Sequence, residues 1–465
     1  MSCARTSVFR VEGLGRRTRT MSEGFMKKLF TSGTCLAADA VSAAPAALTL
    51  TGDWQVRVAL DSQTATLTVE RPQQVAVSNE KHNSLPLFNP TASSYARGER
   101  LAGVAAQECS VRYALDPASL EVRTAPGSTP LEHGKDYDAE LTWGCVGRLA
   151  GGSIEATTPV FVNYVYARMR LDAVVLTTDG QIVLRKGAPH VSLPVPPALA
   201  TGERRLANIW VTARLSKLDP SCLFPILETA YPGPPPTSPT PAEALISKTM
   251  AKLAAGGNVR ILAWGDSVTD GGFLPQPAVN RWQEQFARRL RARYPKAGIE
   301  LLTEAWGGRN TESYRNEPPG SMHNYKGKVL DLQPDLIVFE FVNDAGLCEA
   351  DVFQRYGRIR DEFKAIGAEW IILTPHYVRT DWMGLTAEKN IDDDPRTYVQ
   401  ALRKFAAANG IALADASLRY GRLWRQGIPY STLLMNNINH PNPFGMGLFA
   451  DALMALFPRN PPPEH

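Results

Sequence analysis

A serine standing just where an apolar run ends is a candidate nucleophile, and this chain has one. In Ile261-Leu262-Ala263-Trp264-Gly265-Asp266-Ser267 the run stops at Gly-Asp-Ser, and Gly271 and Gly272 follow. Further polar residues close other apolar runs: Trp306-Gly307-Gly308-Arg309-Asn310, Val342-Asn343-Asp344, then His376 and Arg379. His440 comes late, in Asn437-Ile438-Asn439-His440. Together these residues offer a hydroxyl, flexible backbone donors, a side-chain amide and an imidazole. Acyl transfer needs that set: an activated hydroxyl, a base, and preorganised donors for an oxyanion.

The elements that must position them alternate. "VRILAW", "GIELLTEAW", "DLIVFEFV", "EWIILTPHY" and "IALADAS" read as five buried strands. Between them "NRWQEQFARRLRARYP", with Trp282, Phe286 and Leu290 at four-residue steps, and "YVQALRKFAAANG" read as helices. Near-continuous apolar strands separated by helices predict a parallel sheet covered on both faces. In such folds the site lies at the carboxyl ends of the strands, where Ser267 stands.

Gly-Asp-Ser after the first strand, glycines after the second, Asn-Asp after the third and a late His before the last helix resemble the SGNH (GDSL) hydrolase family. The resemblance covers roughly residues 258–458. It implies a flavodoxin-like sheet with strand order 2-1-3-4-5. It implies that Ser267 is the nucleophile, that His440 is the base, and that Ser267 N–H, Gly308 N–H and the Asn343 amide form the oxyanion hole, with Gly307 the alternative to Gly308. It implies no metal or organic cofactor. One position departs from the pattern: the family usually has Asp three residues before the His, and here that residue is Asn437. The orienting group is then Asn437, a backbone carbonyl, or another acid such as Asp270 or Asp415, and His376 is the reserve base.

Each residue also has a plainer reading. Ser267 can cap a turn, Gly307 and Gly308 can permit one, Asn343 can be a turn residue, and His440 can bond the backbone at a helix entry. "PHYVRTDWMGL" follows the fourth strand and would rim the cleft. There Trp382 and Arg379 are candidate substrate-binding residues, and Trp382 alternatively packs the loop. The run Asp392-Asp393-Asp394-Pro395 reads as a cap for a helix from Arg396 rather than a metal site.

The first half differs. Trp54, Val56, Val58 and Leu60 alternate with polar residues, "TATLTVE" offers a hairpin partner, and "AVVLTTDGQIVLRKG" turns at Asp179-Gly180. "PVFVNYVYARMRL" at 159–171 is another β-rich run. The expected organisation is a disordered or targeting segment (1–46), a β-rich accessory domain of sandwich or jelly-roll type (47–230), a proline-rich linker (231–241) and an α/β catalytic domain (242–465). Thr240, Pro241 and Glu243 predict a capped helix start at the end of the linker.

The net charge of +4, from 50 basic and 46 acidic residues, argues against nucleic-acid or anionic-membrane partners. No apolar run approaches the ~20 residues that span a bilayer. "MKKLFTSGTCLAADAVSAAPA" from Met26 has a basic start and small residues near 41–43, the outline of a secretory signal interrupted by polar residues. Cys109 and Cys145 could pair in an exported protein; unpaired buried thiols are the alternative. The expected function is serine-dependent ester hydrolysis on a small-molecule or polysaccharide ester, foremost removal of O-acetyl groups from carbohydrate. A lipase or thioesterase for longer acyl chains, and a catalytically dead carbohydrate-binding protein, are the rivals.

Overall fold

The computed structural model describes residues 44–459. The expected signal-like segment lies almost wholly outside them, as do Cys3 and Cys35.

Five parallel strands form the sheet of the second half: Asn258–Gly265, Gly298–Ala305, Leu336–Glu340, Glu369–Leu373 and Ala412–Ala414. Their spatial order is second, first, third, fourth, fifth, with every neighbouring pair parallel. The apolar runs are continuous because both faces are covered. Ile261, Ala263, Leu336, Val338, Ile371 and Leu373 pack on one side with Trp282, Phe286 and Phe449. Leu262, Trp264, Ile337, Phe339, Trp370 and Ile372 pack on the other with Tyr356 and Phe405. Alternate residues of one strand thus enter two different cores.

The helices follow the predicted signals, with one break. Thr240 and Glu243 form the capping box, Thr240 N–H donating to Glu243 Oε2 at 2.7 Å. The helix it opens ends at Leu245, and Ser247–Ala254 restarts it after a non-helical Ile246. The helix Thr397–Asn409 ends at Gly410 with φ +60°, as the glycine foretold. Its start differs from expectation, because Arg396 precedes it without a side-chain cap. The three aspartates pair instead: Asp392 with Trp424 and Arg425, Asp393 with Arg403 and Gln400, and Asp394 with Arg396 and Ser417. Two of the carboxylates also keep local backbone partners, Asp393 accepting from Asp394 N–H at 2.8 Å and Asp394 from Arg396 N–H at 3.0 Å.

Every paired strand of the first half is antiparallel to its neighbours. Ala47–Gly52, Gln55–Leu60 and Gln63–Thr68 form one sheet, in which Val56 and Val58 are fully buried. Arg170–Leu176 pairs with Ile182–Arg185 across the Asp179-Gly180 turn, where Gly180 has φ +82°. The run at 159–171 divides. Val160–Arg168 pairs with Gln73–His82 and Glu121–Arg123 over one core, while Arg170–Leu176 joins a second sheet over another. Cys109 and Cys145 are both free and buried, contrary to the pairing considered above. They share a small apolar cluster with Trp143 and Ile438, so the two halves of the chain pack together there.

Candidate active site

The first strand explains its own ending. A Cβ on Gly265 would sit 2.1 Å from Thr269 Oγ1 and 2.4 Å from the Glu340 carbonyl oxygen of the neighbouring strand. Only glycine fits. Asp266 then leaves the strand, and its carboxylate accepts from Val268 N–H at 3.1 Å, capping the short helical turn Ser267–Asp270. The cap is therefore Asp266 and not Ser267. The serine hydroxyl is left for another partner, and it has one: His440 Nε2 lies 3.2 Å from Ser267 Oγ.

Asp266 also ties the third strand to the first. Its Oδ2 accepts from the backbone N–H and the side-chain amide of Asn343, both at 2.9 Å. Burial pushes the Asp266 carboxyl up, against those hydrogen bonds. Asn343 is half-buried, and an amide NH2 has a second hydrogen to give. After the second strand the chain turns through Gly307 and Gly308. Gly308 has φ +71° and open space where a Cβ would be, while a Cβ on Gly307 would lie 3.7 Å from Ser267 Cβ. Neither glycine N–H has a partner among the described residues. The fold thus brings Ser267, the two glycines, Asn343 and His440 to the carboxyl ends of the parallel strands.

His440 is held from several sides. Asn436 Oδ1 accepts from the N–H groups of Ile438, Asn439 and His440 at 3.0, 2.8 and 3.0 Å, which folds the loop into one shape. Phe273 stacks on the imidazole with ring centroids 4.1 Å apart and planes 5° from parallel. On the far side of the ring, Nδ1 lies 2.7 Å from Gln107 Oε1 and 3.4 Å from Glu108 Oε1. An acceptor at Nδ1 makes that nitrogen the donor and leaves Nε2 to accept from the serine. Burial holds the imidazole below its ordinary value of 6.5, and the Glu108 and Asp270 charges oppose that shift.

The alternatives for the orienting group separate cleanly. Asn437 has φ +57°, and its side-chain Oδ1 accepts from Arg112 N–H at 3.3 Å; no hydrogen bond joins its side-chain amide to His440. Asp415 is bound to Thr374 and Arg403. Asp270 accepts from Gly272 N–H at 3.1 Å and acts on His440 only through space. The reserve base, His376, is fully buried beside Tyr420 and Phe449 and is held neutral by burial. Gln107, Glu108, Phe273 and Asn436 carried no motif. The one signal pointing to the first two was the asparagine at 437, which implied that another group had to reach His440.

Arg379 and Trp382 lie beside the His440 loop, Arg379 N–H donating to Ile438 O at 2.8 Å. The Arg379 guanidinium pairs with Asp381 through both oxygens at 2.6 and 3.0 Å, and it lies over Trp143 and Trp382 at 5.2 and 4.6 Å. Trp382 is 45% exposed. Among the described residues no group of three or more His, Cys, Asp or Glu could hold a metal ion. No described helix is long and apolar enough to cross a membrane.

Residues 263–448 match the model of the GDSL-like lipase/acylhydrolase family. The match lies wholly within the second half of the chain. Ser267, Asn343 and His440 all lie within the matched residues. Similar solved structures include a two-domain esterase active on acetylated mannans, crystallised with mannopentaose (TM-score 0.36, 16% identity, 46% of this chain and 52% of that one). Another is a mutant of an acetyl-xylooligosaccharide esterase from Geobacillus (TM-score 0.35, 17% identity, 43% of this chain and 96% of that one). The match thus spans about half the length of the two-domain esterase. Both scores are too low to assign a shared whole-chain fold. No curated protein matches the sequence.

Proposed function

We propose that the chain is a serine-dependent carboxylic ester hydrolase. The observation that carries this reading is the continuous relay from Ser267 Oγ to His440 Nε2, with His440 Nδ1 held on an acceptor. In it, His440 Nε2 takes the Ser267 proton as Oγ bonds to the ester carbonyl carbon. The carbonyl π electrons move to the oxygen, where Ser267 N–H, Gly308 N–H and the Asn343 amide receive the charge, with Gly307 N–H adjacent. Collapse of the tetrahedral intermediate breaks the bond to the alcohol oxygen, which leaves with the proton from His440. Water, deprotonated by the same imidazole, then releases the acid and restores Ser267. A low proton affinity suits His440 for this, because the imidazole is neutral and ready to accept at neutral pH.

The finer reading is an O-acetylesterase acting on carbohydrate. Its support is the rim: exposed Trp382 and Asp381, with the largely buried Arg379 against both and Arg112 of the first half paired to Asp381. An aromatic face flanked by charged hydrogen-bonding groups suits a sugar better than an alkyl chain. A dead binding protein is disfavoured by the intact Ser267–His440 contact.

The test is hydrolysis of p-nitrophenyl acetate and octanoate by the native chain and by Ser267→Ala. Acetate turnover that falls by about 10⁴-fold or more in the variant is expected. A preference for octanoate would move the enzyme to longer acyl chains, and equal turnover by the variant would remove the serine mechanism.

A further inference from the structure

We infer that Gln107 and Glu108, in a loop of the β-rich first half, take the place of the absent aspartate and position His440. The inference rests on the hydrolase reading of the same site.

The geometry is specific. Gln107 Oε1 meets His440 Nδ1 at 2.7 Å, from 333 residues away in sequence. The loop is docked as well as touching, because Gln107 N–H donates to Met435 O at 3.2 Å. Glu108 Oε1 stands 3.4 Å from the same Nδ1 and accepts from Asn436 Nδ2 at 3.1 Å. Asn436 is the residue whose carbonyl oxygen collects the three loop N–H groups that set His440. Four residues after Glu108, Arg112 N–H donates to Asn437 Oδ1 and holds that amide away from the imidazole.

The two side chains divide what one aspartate does elsewhere. The Gln107 carbonyl fixes the tautomer and aims the ring, but a neutral amide gains little when the ring becomes charged. The Glu108 carboxylate is longer in contact and 48% exposed, and it supplies the negative charge that favours imidazolium. The other titratable groups that act on His440 are Asp270, on the turn after Ser267, and His376, which is fully buried. Asp270 favours the charged imidazole through space without a hydrogen bond to it, and His376 stays neutral. Neither can aim Nδ1–H. The base is therefore complete only when both halves of the chain are in contact.

The test uses the full chain and reads the rate at which a fluorophosphonate labels Ser267, as a function of pH, beside kcat and KM on p-nitrophenyl acetate. Gln107→Ala is expected to slow labelling and kcat by about 10²-fold with KM within roughly twofold. Gln107→Glu, which keeps an acceptor oxygen, is expected to recover most of that loss. Glu108→Gln is expected to lower kcat and to move the acid limb of the profile to lower pH. The sign follows from charge: without the carboxylate, imidazolium is less favoured, so the neutral base survives further into acid. A loop that merely docked would change thermal stability and leave the labelling profile alone. Native labelling rates and an unmoved acid limb in both Gln107→Ala and Glu108→Gln, with Ser267→Ala inert, would overturn the positioning role and leave the hydrolase reading standing. A native Ser267 that does not label, with ester turnover unchanged in Ser267→Ala, would overturn both.

Discussion

Asn343 shows how one side chain can serve two purposes at the same point. One hydrogen of its amide, with its own backbone N–H, holds the Asp266 carboxylate at 2.9 Å, and the other hydrogen remains free for substrate. Asp266 in turn caps the turn that presents Ser267. The proposed donor and the proposed nucleophile are therefore tied to a common carboxylate, an arrangement that would keep their separation constant as charge develops. Asn343→Ala is expected to lower kcat by about 10²–10³-fold while KM changes little, because the amide is used chiefly when the carbonyl oxygen becomes an anion. Steady-state kinetics on p-nitrophenyl acetate check this. A rise in KM with kcat preserved would mean that Asn343 binds substrate rather than the oxyanion.

At the scale of elements, the strand–turn at Ser267 depends on Gly265 more than on the serine. The Glu340 carbonyl that a new Cβ would meet at 2.4 Å is backbone of a paired central strand and cannot swing aside. Gly265→Ala is expected to destabilise the fold by about 3 kcal/mol, read as a lower midpoint in denaturant, and to lose activity through displacement of Ser267. A variant as stable as the native chain would show that the two strands can part at no cost. These features were legible in sequence because they are local: Gly-Asp-Ser closes a strand, Asn343 closes another, and two-faced apolar runs announce a parallel sheet. The break at Ile246 was not legible, since the helical pattern runs through it. Nor was the division of the 159–171 run between two sheets, because both of its strands carry the same β-rich composition. The pairing of Asp392 and Asp393 was hidden for a different reason: Arg425 and Arg403 come from other segments, and a propensity for capping says nothing about which charge arrives. Gln107 and Glu108 illustrate the same limit most sharply. A loop reading Ala-Ala-Gln-Glu-Cys has no periodicity and no motif, and its role exists only in the folded chain.

The whole molecule is held together by contacts that bear on the site. Asn208, buried in the first half, donates through Nδ2 to the Gly427 carbonyl at 2.7 Å. The N–H groups of Leu227 and Glu228 donate to Arg425 O at 2.7 and 3.1 Å, and Glu228 pairs with Arg422. Lys389 reaches back to Leu223 O at 2.8 Å. These bonds fix one side of the interface, and the Gln107–His440 and Arg112–Asn437 contacts lie on it too. If His440 takes its orientation from the first half, catalysis must fail when the interface opens, even while the parallel sheet stays folded. Asn208→Ala removes a buried donor and leaves the Gly427 carbonyl without it, a cost of about 1–3 kcal/mol. The variant is far from Ser267 in the bonding network, so its kcat without denaturant is expected to match the native value. In urea its activity is expected to vanish at a lower concentration than in the native chain, and no later than the first loss of circular dichroism signal. Activity that persisted after the β-rich half had unfolded would mean that His440 needs nothing from it, and the site would then belong to the parallel sheet alone.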